Sequence, residues 1–545
     1  MPNNKINGVL VNGISLPLSA EKEDAYKIAA AEMKRAGISP ARIHFSVYKR
    51  SVDARKKDEI KLVYSIAARF DEAVNIKEIR SGRYRISELV DDVLDIVHGE
   101  EDALVPPLVV GMGPAGLFAA LIMAENGYAP IIIDRGDCVS KRISCYDNFV
   151  KNGILDTESN IQFGAGGAGT FSDGKLLTRI NDPKISYVLN RFCDFGAPKE
   201  ILFSAKPHIG TDLLSGIVDK MLSRIEQLGG RVVYRCCMND LYENSDGTVT
   251  VKTSQGDIAC SSVVLALGHS SRDTYKTLIN KGFAIEAKPF SVGVRIEHLR
   301  EDIDTAMYGR FAGHPKLGKG EYHLSDTTSG RGVYTFCMCP GGTVVAAASE
   351  ENGVVVNGMS CYARDGINSN SAVAVSVRPT DFDGTPMGAI SFQRELEQSA
   401  FLAGGRNYCA PIQTAGDFLA CKSGTEPTRI NPTYREGKVQ VADINNILPS
   451  FVTDELRNGL HSFDKKLKGF ACEDAILSGV ETRTSAPLRI LRGENMVALG
   501  HKSIYPCGEG AGYAGGITSA AVDGIKVAMK IMERFSPTNE KKFDC

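Results

Sequence analysis

The stretch VVGMGPAGLFAALIMAENGYAPIIID, Val109–Asp134, contains the pattern G-x-G-x-x-G at Gly111–Gly116. A short apolar strand precedes the glycines, an apolar helix follows them, and a second strand ends in an acid. In such a βαβ unit Gly111 makes the turn, Gly113 lets a pyrophosphate approach the backbone, and Gly116 lets the helix pack on the strand. The pattern therefore predicts an α/β fold with a dinucleotide at a helix N-terminus.

The neighbours of these glycines agree with this interpretation. Pro114 suits the first helical turn because its missing N–H would have had no partner there. Ala115 belongs to the same turn and is small enough for close approach by a ligand. Asp134 follows the first glycine at the spacing of a carboxylate that accepts hydrogen bonds from ribose hydroxyls.

Two more stretches match the glycine pattern, GAGGAG at Gly164–Gly169 and GAGYAG at Gly510–Gly515. The first lacks a buried strand before it and a helix after it, and the second lacks a following strand and acid. Neither predicts a nucleotide site of its own. Three close-approach loops in distant parts of the chain favour one long ligand, a dinucleotide of the size of FAD.

The pattern of predicted elements divides the chain into four segments. Residues 1–100 form a small α+β domain, and residues 105–285 form the first part of a Rossmann-like FAD-binding domain. Residues 286–490 form an inserted α+β substrate domain with period-2 strands, and the PGG of GVYTFCMCPGGTVVAAAS predicts a hairpin turn. Residues 491–545 return to the FAD-binding domain with a glycine turn and a long helix.

Composition excludes several classes of protein. A net charge of -2 over 545 residues gives no electrostatic case for nucleic acid or an anionic membrane. The chain shows no targeting segment and no apolar run near the roughly 20 residues of a membrane helix. The 14 cysteines lack zinc-binding spacing. We therefore expect a cytoplasmic protein with buried thiols and no metal site.

At this level of detail the sequence resembles a known family. The stretches IQFGAGGAGTFSDGKL, VVLALGHSSRDTY, PFSVGVRIEH, ETRTSAP and YPCGEGAGYAGGITSAAVDG, together with GMGPAG, resemble oxidoreductases with a glutathione-reductase-like FAD domain. More narrowly, they resemble a bacterial family of FAD-dependent dehydrogenases. The resemblance implies an oxidoreductase that transfers hydride at flavin N5 to or from a small molecule.

The same resemblance implies which residues bind FAD. Asp134 and Arg135 would bind the adenosine ribose, an amide near Met238 would contact adenine, and Ala266 and Gly268 would form a turn under the cofactor. Glu509, where related proteins carry Asp, would follow Gly508 at the ribityl chain. The amides of Gly516 and Ile517 would face the flavin. The pyrophosphate and ribityl region would be lined by Gly164, Gly166, Ala168, Gly169 and Thr170, with Ser172, Asp173 and Lys175 close by.

Five residues are candidates for contact with substrate or flavin: Arg295, His298, Arg364, Arg483 and Tyr513. Arg295 would clamp a substrate carboxylate, with an ion pair as the alternative. His298 would donate a proton, with a core or capping role as the alternative. His208 and His269 follow turns, and we expect structural roles for both.

Electron supply is left open by the sequence. Only one complete dinucleotide fingerprint is present, so either NAD(P)H binds transiently or a carrier protein or quinone supplies electrons. Cys337 and Cys339 share one face of a strand and suggest a redox-active pair, with buried thiols as the alternative.

Two other functions compete with a small-molecule oxidoreductase. Some flavoproteins modify RNA, and the basic stretch KRSVDARKK, Lys49–Lys57, would then contact phosphates, although Asp53 opposes this. The other alternative is a non-catalytic FAD-binding interaction protein, which would show no turnover with any reductant.

Overall fold

A computed structural model describes residues 4–76, 82–90 and 92–537 of the chain. The first elements form a four-stranded antiparallel sheet in the order β2-β3-β1-β4. Its helix packs on one face, because the apolar residues of the strands alternate with polar ones. The elements are β1 (Asn4–Pro17), α1 (Lys22–Arg35), β2 (Ile43–Asp53), β3 (Lys61–Ile76) and β4 (Arg85–Glu88).

The chain then enters alternating strands and helices. A small three-stranded antiparallel sheet, in the order β10-β9-β8, interrupts this alternation. The elements in chain order are β5 (Leu108–Val110), α2 (Pro114–Glu125), β6 (Ile131–Ile133), α3 (Val139–Asn152), α4 (Lys184–Asp194), α5 (Thr211–Gln227), β7 (Arg231–Val233), β8 (Met238–Glu243), β9 (Val249–Thr253), β10 (Gly256–Cys260), β11 (Val263–Leu265) and α6 (Arg272–Asn280).

A larger mixed sheet with flanking helices follows. Its elements begin with β12 (Ile285–Ala287), β13 (Phe290–Leu299), α7 (Arg300–Tyr308), β14 (Ser325–Asp326), β15 (Val333–Cys339), β16 (Thr343–Ala346), β17 (Val356–Met359) and β18 (Asn368–Val377). They continue with α8 (Pro386–Ala403), β19 (Ala410–Thr414), α9 (Ala415–Leu419), β20 (Val439–Val441), α10 (Ser450–Lys466), β21 (Ile476–Glu481) and β22 (Leu488–Ile490).

The last elements, β23 (Ile504–Pro506) and α11 (Ile517–Met532), return to the first sheet. Five parallel strands form this sheet in the order β23-β11-β5-β6-β7. Because the carboxyl ends of parallel strands meet at one edge, the loops after β5, β6, β11 and β23 lie side by side. This topology brings the glycine clusters of distant segments together.

Helix α2 lies in the centre of this layer. All residues from Ala115 to Ala124 are buried, and the helix packs against α11 and α5. Burial on every side explains why its sequence has no polar face. Among the helices within the described ranges, none has the length and apolarity needed to cross a bilayer.

The mixed sheet has seven strands in the order β14-β15-β18-β13-β21-β19-β20. The alternation of β13 predicts one buried and one polar face, but nine of its residues, from Phe290 to His298, are buried. Both faces are covered, so Arg295 and Glu297 lie in the interior and require polar partners.

The predicted PGG hairpin is wrong. β15 pairs with β14 and β18, whereas β16 pairs with β17 in a separate two-stranded sheet. Gly341 has φ +51°, and an added Cβ would lie 2.0 Å from the carbonyl oxygen of Arg364. The glycine turn therefore carries the chain from one sheet to another, with the backbone of a third segment against it.

Candidate functional site

One cavity of about 540 Å³ opens where the carboxyl edge of the parallel sheet meets the mixed sheet. The loops after β5, β6, β11 and β23 contribute to its wall, as do Gly167–Gly169, Ser172–Lys175 and strands β15 and β17. The predicted residues on its wall are Gly111, Gly113, Pro114, Ala115, Asp134, Ala168, Gly169, Ser172, Asp173, Lys175, Ala266, Gly268, Arg483, Glu509, Gly516 and Ile517. The structure thus brings residues of all three glycine clusters to one place.

The glycines after β5 have three different surroundings. Gly111 has φ +106°, and a Cβ on it would lie 2.2 Å from the carbonyl oxygen of Ala266. A Cβ on Gly116 would lie 1.9 Å from the carbonyl oxygen of Gly111. Gly113 differs, because the nearest atom to its added Cβ is Gly167 Cα at 3.9 Å. Gly111 and Gly116 are therefore needed for packing, whereas Gly113 keeps the cavity wall open.

Two helices begin at this cavity without a side-chain cap. Gly113 precedes α2 and Gly516 precedes α11, and both glycines line the cavity. The first amides of a helix have no intrahelical acceptor and carry partial positive charge. Both helix N-termini can therefore bind anionic or carbonyl oxygens of a ligand in the cavity.

Asp134 closes β6 and organises the backbone around it. Its carboxylate accepts hydrogen bonds from the amides of Met112 at 2.8 Å, Gly136 at 2.9 Å and Gly164 at 2.8 Å. It also lines the cavity. Oδ2 accepts one hydrogen bond, from Met112, and keeps a lone pair that a ligand hydroxyl can use. The predicted contact of Asp134 with a ribose stays a prediction.

A buried charge cluster borders the cavity at Asp173. Lys175 Nζ lies 2.6 Å from Asp173 Oδ2, and Arg364 donates from Nε to Oδ1 at 2.9 Å. Burial by itself would raise the pKa of Asp173, but these two cations hold it below its ordinary value. Arg364 does not line the cavity, and its predicted contact with flavin or substrate is corrected to a contact with Asp173.

A second buried cluster lies behind Arg483. Glu397 accepts hydrogen bonds from Arg483 at 3.1 and 2.9 Å and from Arg272 at 2.8 and 2.9 Å. Burial opposes ionisation of Glu397, yet the two guanidinium groups hold its pKa below its ordinary value. Arg483 is the member of this cluster that reaches the cavity wall.

Three other catalytic candidates are occupied elsewhere. All five donors of Arg295 are used, because its guanidinium pairs with Glu481 and also contacts Cys337, Asn357 and Asn370. His298 Nε2 lies 2.7 Å from the carbonyl oxygen of Phe470, and burial lowers its pKa. Tyr513 donates to Ile490 and lies under Arg492. These contacts correct the predictions that Arg295, His298 and Tyr513 contact a ligand.

Several predicted cofactor residues support the wall without lining it. Gly166 donates to the carbonyl of Met112, and Gly508 donates to Asp523. Arg135 stacks over Phe163 and pairs with Asp273. Gly116 packs helix α2 against β5, as the sequence predicts. The other predicted residues that do not line the cavity are Arg135, Gly164, Gly166, Thr170, Met238 and Gly508, and their contacts with FAD stay predictions.

The structure also adds residues that sequence patterns did not identify. His269 lines the cavity, whereas His208 bonds the carbonyl of Tyr362 and does not line it; the structural role expected for both histidines stays a prediction. The motif IQFGAGGAG contained a signal for Gln162, which lies two residues before the glycine cluster. The remaining polar additions come from loops and from strands β15 and β17: Arg179, Lys206, Ser270, Glu321, His323, Thr335 and Asn357.

Glu509 and the two cysteines give the cavity further titratable groups. Burial raises the pKa of Glu509 to about 7, and Lys288 opposes this. Burial also raises the pKa of Cys337 to about 12 and raises that of Cys339. Both cysteines are free thiols on the cavity wall, and their redox activity stays a prediction.

Comparison with known proteins gives two family matches. Residues 289–484 match the model "FAD-dependent protein, C-terminal domain-like", and residues 10–69 match a domain of unknown function, DUF8436. A protein of Clostridium beijerinckii named "Uncharacterized protein" is 44% identical over 542 residues, covering 97% of this chain and 99% of its own length.

Solved structures give weaker similarities. The halogenase PltM in complex with FAD has a TM-score of 0.38 at 10% identity, covering 80% of this chain and 72% of its own. CtdE in complex with FAD has a TM-score of 0.32 at 13% identity, covering 79% and 86%. TM-scores this low support no conclusion about the activity of this chain. From the family model and the full-length relative, we conclude that the chain belongs to a family of FAD-dependent proteins that includes the Clostridium beijerinckii protein, with FAD as its cofactor.

Proposed function

We propose that the protein is an FAD-dependent oxidoreductase acting on a small molecule, which binds between the parallel sheet and the mixed sheet. One observation carries this proposal: the glycine loops and Arg483, which follows β21 of the mixed sheet, line the same cavity. Ligand sites form preferentially at such junctions between layers or domains. The proposal keeps the predicted domain boundaries and the predicted cytoplasmic location.

The cavity residues fit FAD. A diphosphate needs amide donors that no side chain occupies, and the uncapped start of α2 next to Gly113 offers them. The open space at Gly113 leaves room for the ligand against the backbone. Gly516 and Ile517 at the start of α11 would hold another polar part of the cofactor. When bound, FAD supplies electron or hydride transfer.

The chain's own residues would orient both molecules and control charge. Amides at the start of α11 favour negative charge in the cavity, since they carry the positive end of the helix dipole. Asp173 fixes Lys175, and Glu397 fixes Arg483, so these two cations of the wall are held in place. Arg483 would orient an oxygen of the substrate.

An anaerobic spectral titration of the purified protein tests the proposal. NADH, NADPH, a reduced carrier protein, carboxylates and amino acids are added in turn, and the flavin absorbance is followed. We expect one of them to bleach the flavin band. Bound FAD that no reductant or substrate bleaches would overturn the proposal in favour of a non-catalytic role.

A pair of variants makes this titration specific. Arg483→Met removes a cation of the cavity wall and should weaken the substrate-dependent bleaching by at least tenfold. Arg331 pairs with Asp381 at 2.6 Å and does not line the cavity. Arg331→Met should therefore leave the substrate-dependent bleaching unchanged. Equal effects of the two variants would contradict a substrate contact by Arg483.

A further inference from the structure

His269 lies in the loop between β11 and α6 and lines the cavity. A hydrogen-bonded chain holds its ring. Ser270 Oγ donates to Gln162 Oε1 at 3.1 Å, and Gln162 Nε2 donates to the carbonyl of Ala347 at 3.2 Å. Since Ser270 has used its single proton, the contact of 3.0 Å with His269 Nδ1 requires Nδ1 to be the donor.

This tautomer leaves a lone pair on His269 Nε2. Within the described residues Nε2 has no hydrogen-bond partner, and it is not among the polar atoms sealed from solvent. His269 lines the cavity, and its Nε2 is an accessible hydrogen-bond acceptor.

The surroundings keep the imidazole neutral. Burial, followed by the charges of Arg483 and Arg272, lowers the pKa of His269 to about 3, although Glu397 opposes this. Both arginines are committed to Glu397, and Glu350 also lies within 3.7 Å of Arg483. An imidazole that protonates so poorly is a weak general base but remains a good acceptor.

Arg483 complements this acceptor with free donors. Its Nε and one proton of Nη2 bind Glu397, and one proton of Nη1 binds Ser349. A guanidinium has five N–H groups, so two remain. Among the described residues, Arg483 forms ion pairs only with Glu397 and, at the longer distance of 3.7 Å, with Glu350.

We propose that His269 and Arg483 form one polar subsite, which binds an N–H or O–H donor adjacent to a carbonyl or carboxylate oxygen. The inference rests on the proposed function and deepens it. Two molecules carry this chemistry. One is the flavin ring of FAD, whose pyrimidine edge has an N–H between two carbonyls, and the other is a 2-hydroxy or 2-amino carboxylate as substrate.

Two variants separate the cavity-facing atom from the supporting one. His269→Asn keeps an amide donor near the position of Nδ1 and loses the group at Nε2. His269→Gln keeps a polar group near Nε2 and loses the bond to Ser270. Each purified apo-protein is titrated with FAD by fluorescence, and each FAD-loaded protein is titrated with lactate and alanine by the shift of oxidised flavin absorbance.

If the subsite binds the flavin edge, His269→Asn should weaken FAD binding about tenfold, and His269→Gln should weaken it less than threefold. If it binds substrate, FAD affinity should stay unchanged, and lactate or alanine should bind about tenfold more weakly to His269→Asn alone.

The proposal is overturned if His269→Asn matches the wild type in every titration. It is also overturned if both variants lose affinity equally together with a lower unfolding temperature, because His269 would then be structural only. A wild-type protein that binds no FAD would refute the proposed function itself, which distinguishes the two failures.

Discussion

The carboxylate of Asp134 accepts a hydrogen bond of 2.8 Å from the backbone amide of Gly164. The two residues belong to separate segments, one closing β6 and the other opening the second glycine cluster. The same carboxylate also binds the amides of Met112 and Gly136. Asp134 therefore joins the first two glycine clusters into one cavity wall before any ligand binds.

Replacing Asp134 by Asn should destabilise this wall. The variant keeps one acceptor oxygen but turns an N–H group toward backbone donors, so we expect a loss of about 1–3 kcal/mol in the free energy of unfolding. Chemical denaturation measures this loss, and the FAD content after purification should also fall. Asp273→Asn, which affects an exposed pair with Arg135, is the control and should change stability by less than about 1 kcal/mol.

Gly113→Val should separate folding from cofactor binding. Gly113 has φ -72° and ψ 178°, which any residue adopts, and its Cβ position is open. We expect an unfolding temperature near that of the wild type and FAD binding at least tenfold weaker, because the side chain would project into the cavity. Gly116→Val is the contrast and should fail to fold, since its Cβ would clash with the carbonyl of Gly111. Unchanged FAD affinity in Gly113→Val would contradict the site.

The pair of Arg295 and Glu481 should matter for stability rather than for ligand choice. Glu481→Gln leaves a buried guanidinium without its counter-charge, which costs about 3–5 kcal/mol. The double variant Arg295→Met with Glu481→Leu should recover most of this, since both charges are then absent. Denaturation of these two variants and the wild type measures the effect. A loss of carboxylate binding in Arg295→Met at unchanged stability would restore the original prediction.

Glu509 should make stability depend on pH in the apo-protein. Its pKa is raised by burial from 4.5 to about 7, so the folded state binds the proton more tightly. The free energy of unfolding must then fall as pH rises through this window, by up to about 1.4 kcal/mol per pH unit. Glu509→Gln should remove that slope. Denaturation of both proteins from pH 4.5 to pH 8 checks it, and parallel curves would contradict the raised pKa.

Local patterns were sufficient for the βαβ unit. The run from Val109 to Asp134 contains its strand, glycine turn and helix within a single stretch. Neighbouring backbone leaves no room for a side chain at Gly111 and Gly116, whereas Gly113 has open space beside it. The predicted hairpin at Gly341 was wrong because strand pairing depends on partners that are distant in the sequence. β15 pairs with β18, and β16 pairs with β17.

The sequence by itself determined an α/β protein with a glycine-lined dinucleotide site, because those features depend on residues close together in the chain. Tertiary structure alone decided which charged side chains remain free. Arg295 meets Glu481 across 186 positions, and Arg364 meets Asp173 across 191. The charge of a buried arginine must be compensated, and only the packing of distant strands supplies its partner. The same packing brought His269 to the cavity beside Arg483.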